Sequence, residues 1–325
     1  MLKKDLVIVG GGPAGMAAAI YAHKNGVKNI LVIERDKHLG GILNQCIHPG
    51  FGLEYFKEIL TGPEYAQKAI EKIRSIPEIE ISLRSFVVRL TQNKILTVLK
   101  PGALEQIKAK ALIMATGCRE KTREMVHIPG TRPAGIFSAG LAQKLINIEG
   151  FLPGKKVVIV GSGDIGLIMA RRLTLEGAEV KAVIEIQKES RGLIRNVVQC
   201  LNDFDIPLYY NHKISHIYGK KRVEKVDVVK VDDHLNSVSG SEFTIDCDTV
   251  LVSVGLIPEN ELIEMAGVAM DKKTNCPTSS ELNTTSISGL FVCGNSFKVY
   301  DLADSVSRDS EIAGKQAAEY LRNRS

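Results

Sequence analysis

The residues with the most chemical content in this chain are glycines. Gly10-Gly11-Gly12-Pro13-Ala14-Gly15 and Gly161-Ser162-Gly163-Asp164-Ile165-Gly166 lay down the same GxGxxG spacing twice. In such a loop the first glycine permits a tight turn from strand to helix. The second lets backbone approach a pyrophosphate, and the third lets the helix pack close on the strand. The phosphates then face unpaired amides and the positive end of the helix dipole. An acid follows each loop, Glu34 and Glu185, 24 residues after the first glycine in both copies. At the tip of a second strand such a carboxylate accepts hydrogen bonds from an adenosine ribose. The pattern predicts two dinucleotide sites on one chain.

The elements that must hold these loops are legible around them. Leu6–Val9 and Val157–Val160 are strand-like runs entering the loops, and helix-like Met16–Ala22 and Leu167–Leu173 leave them. Ile30–Ile33 and Val180–Ile184 close each βαβ unit. Downstream of each comes an alternating, antiparallel-type meander. The first is Phe86–Leu90, Ile95–Leu99 and Gln106–Ala109; the second is Ile214–Tyr218, Val223–Val231 and Phe243–Ile245. A buried-type strand then runs to glycine, Ala111–Ala115 into Thr116-Gly117 and Thr249–Val254 into Gly255. A last strand spans Gly289–Gly294, and a helical tail runs from about Asp304 to Arg322. This order predicts a nested α/β chain of two Rossmann-like, three-layer dinucleotide-binding domains, each with an antiparallel β meander. Residues 1–118 and 256–325 form the first domain, and 119–255 form the second, inserted one.

Other chemistry is sparse. Six cysteines stand far apart with neither CxxC nor CxxxxC, so no zinc knuckle or sequence-local redox pair is expected. Cys46-Ile47-His48 admits two readings: a lone thiol against a cofactor with His48 tuning its pKa, or a packed thiol at a helix start with a locally satisfied histidine. Cys118 beside Thr116-Gly117 is equally core or site. No histidine has metal-ligand spacing, so no metal is expected. Asp301, Asp304, Asp309 and Glu311 suit the cap and first turns of the last helix. With 44% apolar and 24% charged residues and a net charge of +5, the composition is that of a globular protein. The basic run Lys220–Arg222 lacks interleaved aromatics, so nucleic acid is not an expected partner. No run is long enough for a membrane span, and the start lacks a secretory pattern. Scattered single thiols suit the reducing cytoplasm.

The chain resembles the pyridine-nucleotide-dependent flavoproteins with two dinucleotide-binding domains, at the compact size of the thioredoxin reductase branch. The motifs that carry the likeness are the two glycine loops with their acids, Ala115-Thr116-Gly117, Gly255-Leu256-Ile257-Pro258 and Gly289–Asn295. The resemblance implies FAD in the first domain, on Gly10, Gly12, Pro13, Ala14, Gly15, Glu34 and Arg35. Gly41, Ile42, Val87, Ala115, Thr116 and Gly117 would complete its surroundings, with Gly294, Asn295 and Asp304 from the returning chain. It implies NAD(H) in the second, on Gly161, Gly163, Asp164, Ile165, Gly166, Glu185 and Gly255. Glu185 would repel the 2′-phosphate of NADPH, which favours NADH, with Lys188, Arg191 and Arg195 partly offsetting that charge.

Where the broad family has Gly-Asp this chain has Gly294-Asn295, and both family dithiol positions are broken. The absent dithiol excludes a thioredoxin or glutathione reductase. Longer stretches, Ala115–Glu120, Ile128–Gly135, Gly161–Arg172 and Gly255–Asn260, resemble the NAD/FAD subunit found with glycerol-3-phosphate dehydrogenase-like flavoproteins. They are similar also to small flavoprotein subunits of opine oxidase, hydrogen cyanide synthase and dye-linked proline dehydrogenase. The expectation is an FAD-dependent oxidoreductase moving electrons between NAD(H) and a substrate-oxidising partner subunit or a small acceptor, in a homo- or hetero-oligomer. The alternative is a single-cysteine NADH oxidase, NADH peroxidase or coenzyme A disulfide reductase-like enzyme using Cys46 and His48.

Overall fold

The computed structural model describes residues 1–279 and 282–324. The chain divides into two compact units, Met1–Arg119 with Ile257–Ser325, and Glu120–Leu256.

In the first unit β1 (Leu2–Val9) enters the glycine loop, α1 (Pro13–Lys24) leaves it, and β2 (Ile30–Ile33) pairs with β1 in parallel. Helix α2 (Gly62–Arg74) leads to β3 (Ile79–Ser82), and β4 (Phe86–Leu90), β5 (Ile95–Lys100) and β6 (Ala103–Met114) complete this stretch. The sheet order is β3-β2-β1-β6-β5-β4, parallel through β6 and antiparallel beyond it. Leu6, Val7 and Ile8 are fully buried because both faces of β1 are covered. Ile8 joins the cluster under the helices, while Val7 and Val9 join one with Val87, Leu96 and Val98 of the meander. Alternate residues of one strand thus feed two cores, which makes three layers.

One expectation is corrected. Gln106–Ala109 and Ala111–Ala115 belong to a single strand, β6, because exposed Lys110 needs no turn: it pairs with Asp5 of β1 at 2.8 Å.

The second unit repeats the plan with a separated meander. Its elements are β7 (Ile136–Ser138), α3 (Ala139–Asn147), β8 (Lys156–Val160), α4 (Asp164–Leu175), β9 (Glu179–Ile184), α5 (Ile194–Cys200) and β10 (Leu208–Tyr209). Then come β11 (His212–Tyr218), β12 (Lys225–Lys230), β13 (Phe243–Asp246) and β14 (Thr249–Val252). The parallel sheet runs β7-β14-β8-β9-β10, and β11-β12-β13 form their own antiparallel sheet. Val157 and Ile159 pack toward the helices, Val158 toward the meander.

The chain returns to the first unit as β15 (Leu290–Val292), parallel to β6, and α6 (Ala303–Arg322). Helix α6 crosses α1 so closely that a Cβ on Gly314 would stand 2.3 Å from the Ala18 carbonyl oxygen. The alanines of α1 and Gly314 permit this approach; a Gly314→Leu change would force the helices apart. The α6 N-cap is Leu302, which makes no side-chain cap, and Asp304 is the acid of its first turn. The expected capping role of the neighbouring acids is corrected accordingly. Asp309 is buried and accepts the Gly294 N–H at 3.1 Å, and burial holds its carboxyl above the ordinary range.

Candidate functional site

The first unit's cradle is built by backbone constraints that only glycine meets. Gly10 sits at φ +112°, and a Cβ there would lie 2.2 Å from the Ala115 carbonyl oxygen. A Cβ on Gly15 would lie 1.8 Å from the Gly10 carbonyl oxygen, so helix and strand touch through backbone. Gly12 precedes Pro13 at the start of α1, whose first turn holds no acid and no side-chain cap. That leaves an electropositive helix end open to an anion.

Three distant segments close around this end. Gly41 approaches Gly12 so that its Cβ would be 3.1 Å from the Gly12 Cα. Gly294 packs on Ala14, with an added Cβ 2.7 Å from the alanine methyl. Asp304, 4% exposed at the start of α6, accepts the Glu54 N–H at 3.4 Å through Oδ2, while Oδ1 has no partner among the described residues. Around Gly117, at φ +75°, the Cβ direction is open space. An uncapped helix end, open space beside Gly117 and an orphaned buried acceptor fit a pyrophosphate and a ring that donates hydrogen bonds, which are the parts of FAD.

The two acids behave alike. Glu34 Oε2 accepts the Gly11 N–H at 2.6 Å and Oε1 the Asp36 N–H at 2.7 Å. Glu185 Oε2 accepts the Ser162 N–H at 2.8 Å and its hydroxyl at 2.6 Å, and Oε1 the Gln187 N–H at 2.9 Å. Both are buried, so each carboxylate pins its glycine loop and keeps lone pairs for a ribose. Arg35 is exposed just beyond β2. Val87 buries its side chain in the meander core, so only its main chain can meet a ligand.

The second cradle is more open. Gly161, at φ +96°, would place a Cβ 2.1 Å from the Ser253 carbonyl oxygen, and Gly166 one 2.6 Å from that of Gly161. Nothing lies within 4 Å of the Cβ direction at Gly163. Asp164, an acid in the first turn of α4, turns its Oδ1 to the Leu193 N–H (2.8 Å) and the Asn196 amide (2.7 Å). Half-buried Ile165 packs against the helix-side core, and Gly255 takes φ +117°. Lys188 pairs with Asp233 at 2.8 Å, and Arg191 and Arg195 are exposed.

Cys46 is 5% exposed, donates to the Ile42 carbonyl at 3.3 Å, and is pushed by burial up to about 12. His48 Nδ1 lies 3.2 Å from the Pro49 carbonyl, and its ring packs on Phe51 at 5.1 Å. Exposed Ile42 lies on the same turn as Gly41. Asn295 Oδ1 accepts the Tyr300 N–H at 3.0 Å, and its amide donates to the Cys118 sulfur at 3.5 Å. Ser296, which the sequence did not single out, joins two of the expected segments. Its Oγ accepts the Gly117 N–H at 2.7 Å and lies 3.1 Å from the Thr116 hydroxyl, which itself donates to the Glu259 carbonyl at 2.6 Å. Among the described residues no cluster of His, Cys, Asp or Glu could hold a metal, and no helix is long and apolar enough to cross a membrane.

Comparison with known proteins places this geometry. One of the subunits of Agrobacterium tumefaciens opine oxidase is 24% identical over 97% of this chain and 63% of that protein. The HcnB subunit of Pseudomonas protegens hydrogen cyanide synthase is 29% identical over 81% of this chain and 58% of that one. The chain thus spans about three-fifths of these curated relatives. The crystal structure of T. acidophilum thioredoxin reductase superposes with a TM-score of 0.77 at 22% identity, covering 100% of this chain and 99% of that one, and has the same fold. The profile of the family described as pyridine nucleotide-disulphide oxidoreductase matches residues 4–309. With two glycine cradles, each pinned by a buried glutamate, and a match over nearly its whole length, the chain belongs to that family, whose typical cofactors are FAD and a pyridine nucleotide.

Proposed function

We propose that the chain is an electron-transfer flavoprotein, moving electrons between NAD(H) and a partner dehydrogenase subunit or small acceptor without a redox-active disulfide. One observation carries this reading: two nucleotide cradles coexist with six cysteines, none of which is joined to another in a disulfide. The first cradle would hold FAD through the α1 amides, Glu34, Gly41, Thr116-Gly117, Gly294 and Asp304. The second would hold NAD(H) through Gly161–Gly166, Glu185 and Gly255. Bound FAD supplies hydride acceptance and return; the protein supplies position and a site shielded from water.

A substrate-oxidising flavoprotein subunit, of glycerol-3-phosphate dehydrogenase-like type, is the partner we assign. Two of the relatives are by name subunits of larger enzymes, and Ile42, Ile47, Leu53 and Ile59 expose apolar surface on the segments around the first cradle. Thiols outside any disulfide suit the reducing cytoplasm. The reading in which Cys46 does redox work has a physical obstacle, because a thiol held neutral by burial is a poor nucleophile.

The test is anaerobic titration of the purified flavoprotein. NADH should bleach the flavin and glycerol 3-phosphate alone should not, while a partner subunit from the native host should restore substrate-dependent reduction. A flavin that no nicotinamide reduces would sink the proposal.

A further inference from the structure

The strand order of the second unit reverses between β8 and β14, since β9 and β10 lie on one side of β8 while β14 and β7 lie on the other. In open α/β sheets the ligand crevice opens at the carboxyl ends of the strands at such a reversal. Gly161 leaves β8 there, and Ser253, Val254 and Gly255 leave β14, close enough for a Cβ on Gly161 to meet the Ser253 carbonyl oxygen.

Lys121 reaches the same place from outside the motif. Its N–H donates to the Gly255 carbonyl at 2.9 Å, which fixes its backbone beside this loop. Its Cδ, Cε and Nζ lie 3.8, 3.8 and 3.9 Å from the point a Gly255 Cβ would occupy. The side chain is half-buried, and among the described residues its ammonium has no carboxylate or hydrogen-bond acceptor. Other cations of this unit that are withdrawn from water do have partners: Arg123 donates to the Ile128 and Thr131 carbonyls, Arg222 to Pro153 and Thr249, and Arg172 pairs with Glu176, whereas Arg191 and Arg195 stand exposed to solvent. A cation partly withdrawn from water without a counter-ion is costly until an anion arrives.

We infer that Lys121 binds the pyrophosphate of the pyridine nucleotide, opposite the amides of Gly161–Gly166. The inference rests on the assignment of the second unit to NAD(H). A lysine suits this task as a compact point charge on a mobile stem, complementing the directional amides of the helix end. Asp164 does not oppose it, because its Oδ1 is already held by Leu193 and Asn196. Gly255 takes φ +117°, where a side chain would be strained, so this turn beside the lysine stem is kept to backbone alone.

The experiment titrates NADH and ADP-ribose separately into oxidised holoprotein, wild type and Lys121→Met, by calorimetry at low and high salt. Both ligands should bind about tenfold more weakly, or worse, to Lys121→Met at low salt. The gap should narrow at high salt. Lys121→Arg should keep most of the affinity, flavin absorbance should not change, and the melting temperature of nucleotide-free Lys121→Met should not fall. Equal affinities in wild type and Lys121→Met would overturn the inference. So would a loss for NADH with ADP-ribose unaffected, which would move the lysine to the nicotinamide end. A wild type that binds neither ligand would instead bring down the NAD(H) assignment itself, and the role of Lys121 with it.

Discussion

The two glycine loops share spacing, turn geometry and a buried glutamate, yet their surroundings differ. The first is approached by Gly41, Gly294 and the start of α6, segments from three separate stretches of chain. The second is flanked by a local partner, residues 190–196, tied on by the Ser190 hydroxyl and the Gly192 N–H to the Ser162 carbonyl. That partner is itself open to solvent; Ile194 is 83% exposed. A ligand crossed by three chain-distant segments leaves only when several of them move, whereas one covered on one side by an exposed local segment can exchange when that segment swings away. The difference is what the proposed assignment, flavin in the first unit and nicotinamide nucleotide in the second, requires of one architecture.

The sharpest way to break this comparison is to add one methyl group to each loop. Gly10→Ala meets Ala115 backbone at 2.2 Å from a positive φ, so strand, loop and β6 must separate. A cost of several kcal/mol is expected, with the chain failing to retain FAD or to fold. Gly163→Ala points into open space and should leave the melting temperature and flavin content unchanged while weakening NADH binding. Thermal unfolding with flavin absorbance separates the outcomes. A tolerated Gly10→Ala, or an unfolded Gly163→Ala, would remove the asymmetry.

The glycines were legible because their demand falls on the backbone itself: a φ near +100°, or main chain packed against the Cα, admits glycine alone, and the tight turn that imposes it recurs with fixed spacing. The α/β order and its parallel strands were legible for a similar reason, since strands covered on both faces are continuous apolar runs. What escaped depends on distance along the chain. Ser296 meets Gly117 across 179 residues, and no spacing rule marks a lone serine. Asp309 has the sequence setting of a solvated acid near a helix start, although Val306, Ser310, Ala313 and Ala317 define a buried stripe beside it. That periodicity was the available signal. The resemblance sets Asn295 beside the FAD; its carboxamide bonds to Tyr300 and Cys118 are contacts that only the folded turn reveals.

A smaller effect tests the shared feature, the glutamate. Glu185→Ala releases the Ser162 amide and hydroxyl and, on the proposed assignment, removes the charge that would face a 2′-phosphate. The NADPH-to-NADH ratio of kcat/KM should rise about tenfold, with the NADH value itself falling. Flavin content should stay constant, because the first unit has its own glutamate on its own loop. An unchanged ratio would mean that the nucleotide ribose lies elsewhere, and the second loop would lose its claim to be a binding site.

The smallest expected effect concerns Cys46, which sits directly after the turn that carries Gly41. Cys46→Ser should leave the rate of flavin reduction by NADH unchanged, because a hydroxyl can still donate to Ile42 and no thiolate is lost. The supporting chemistry has a definite sign. Burial raises this thiol from about 9 to about 12, so the fold favours its neutral form. In the unfolded chain the thiol ionises first, so its contribution to stability is complete below about pH 9 and is lost as pH climbs toward 12. Cys247 and Cys293 share that behaviour, so Cys46→Ser should make the alkaline loss of stability shallower without abolishing it. Iodoacetamide should label native Cys46 far more slowly at about pH 8 than it labels the denatured chain. Rapid native labelling, or loss of turnover with peroxide or oxygen in Cys46→Ser, would turn the enclosed cradle into a thiol redox centre. The contrast between the two units would then be one of chemistry as well as of enclosure.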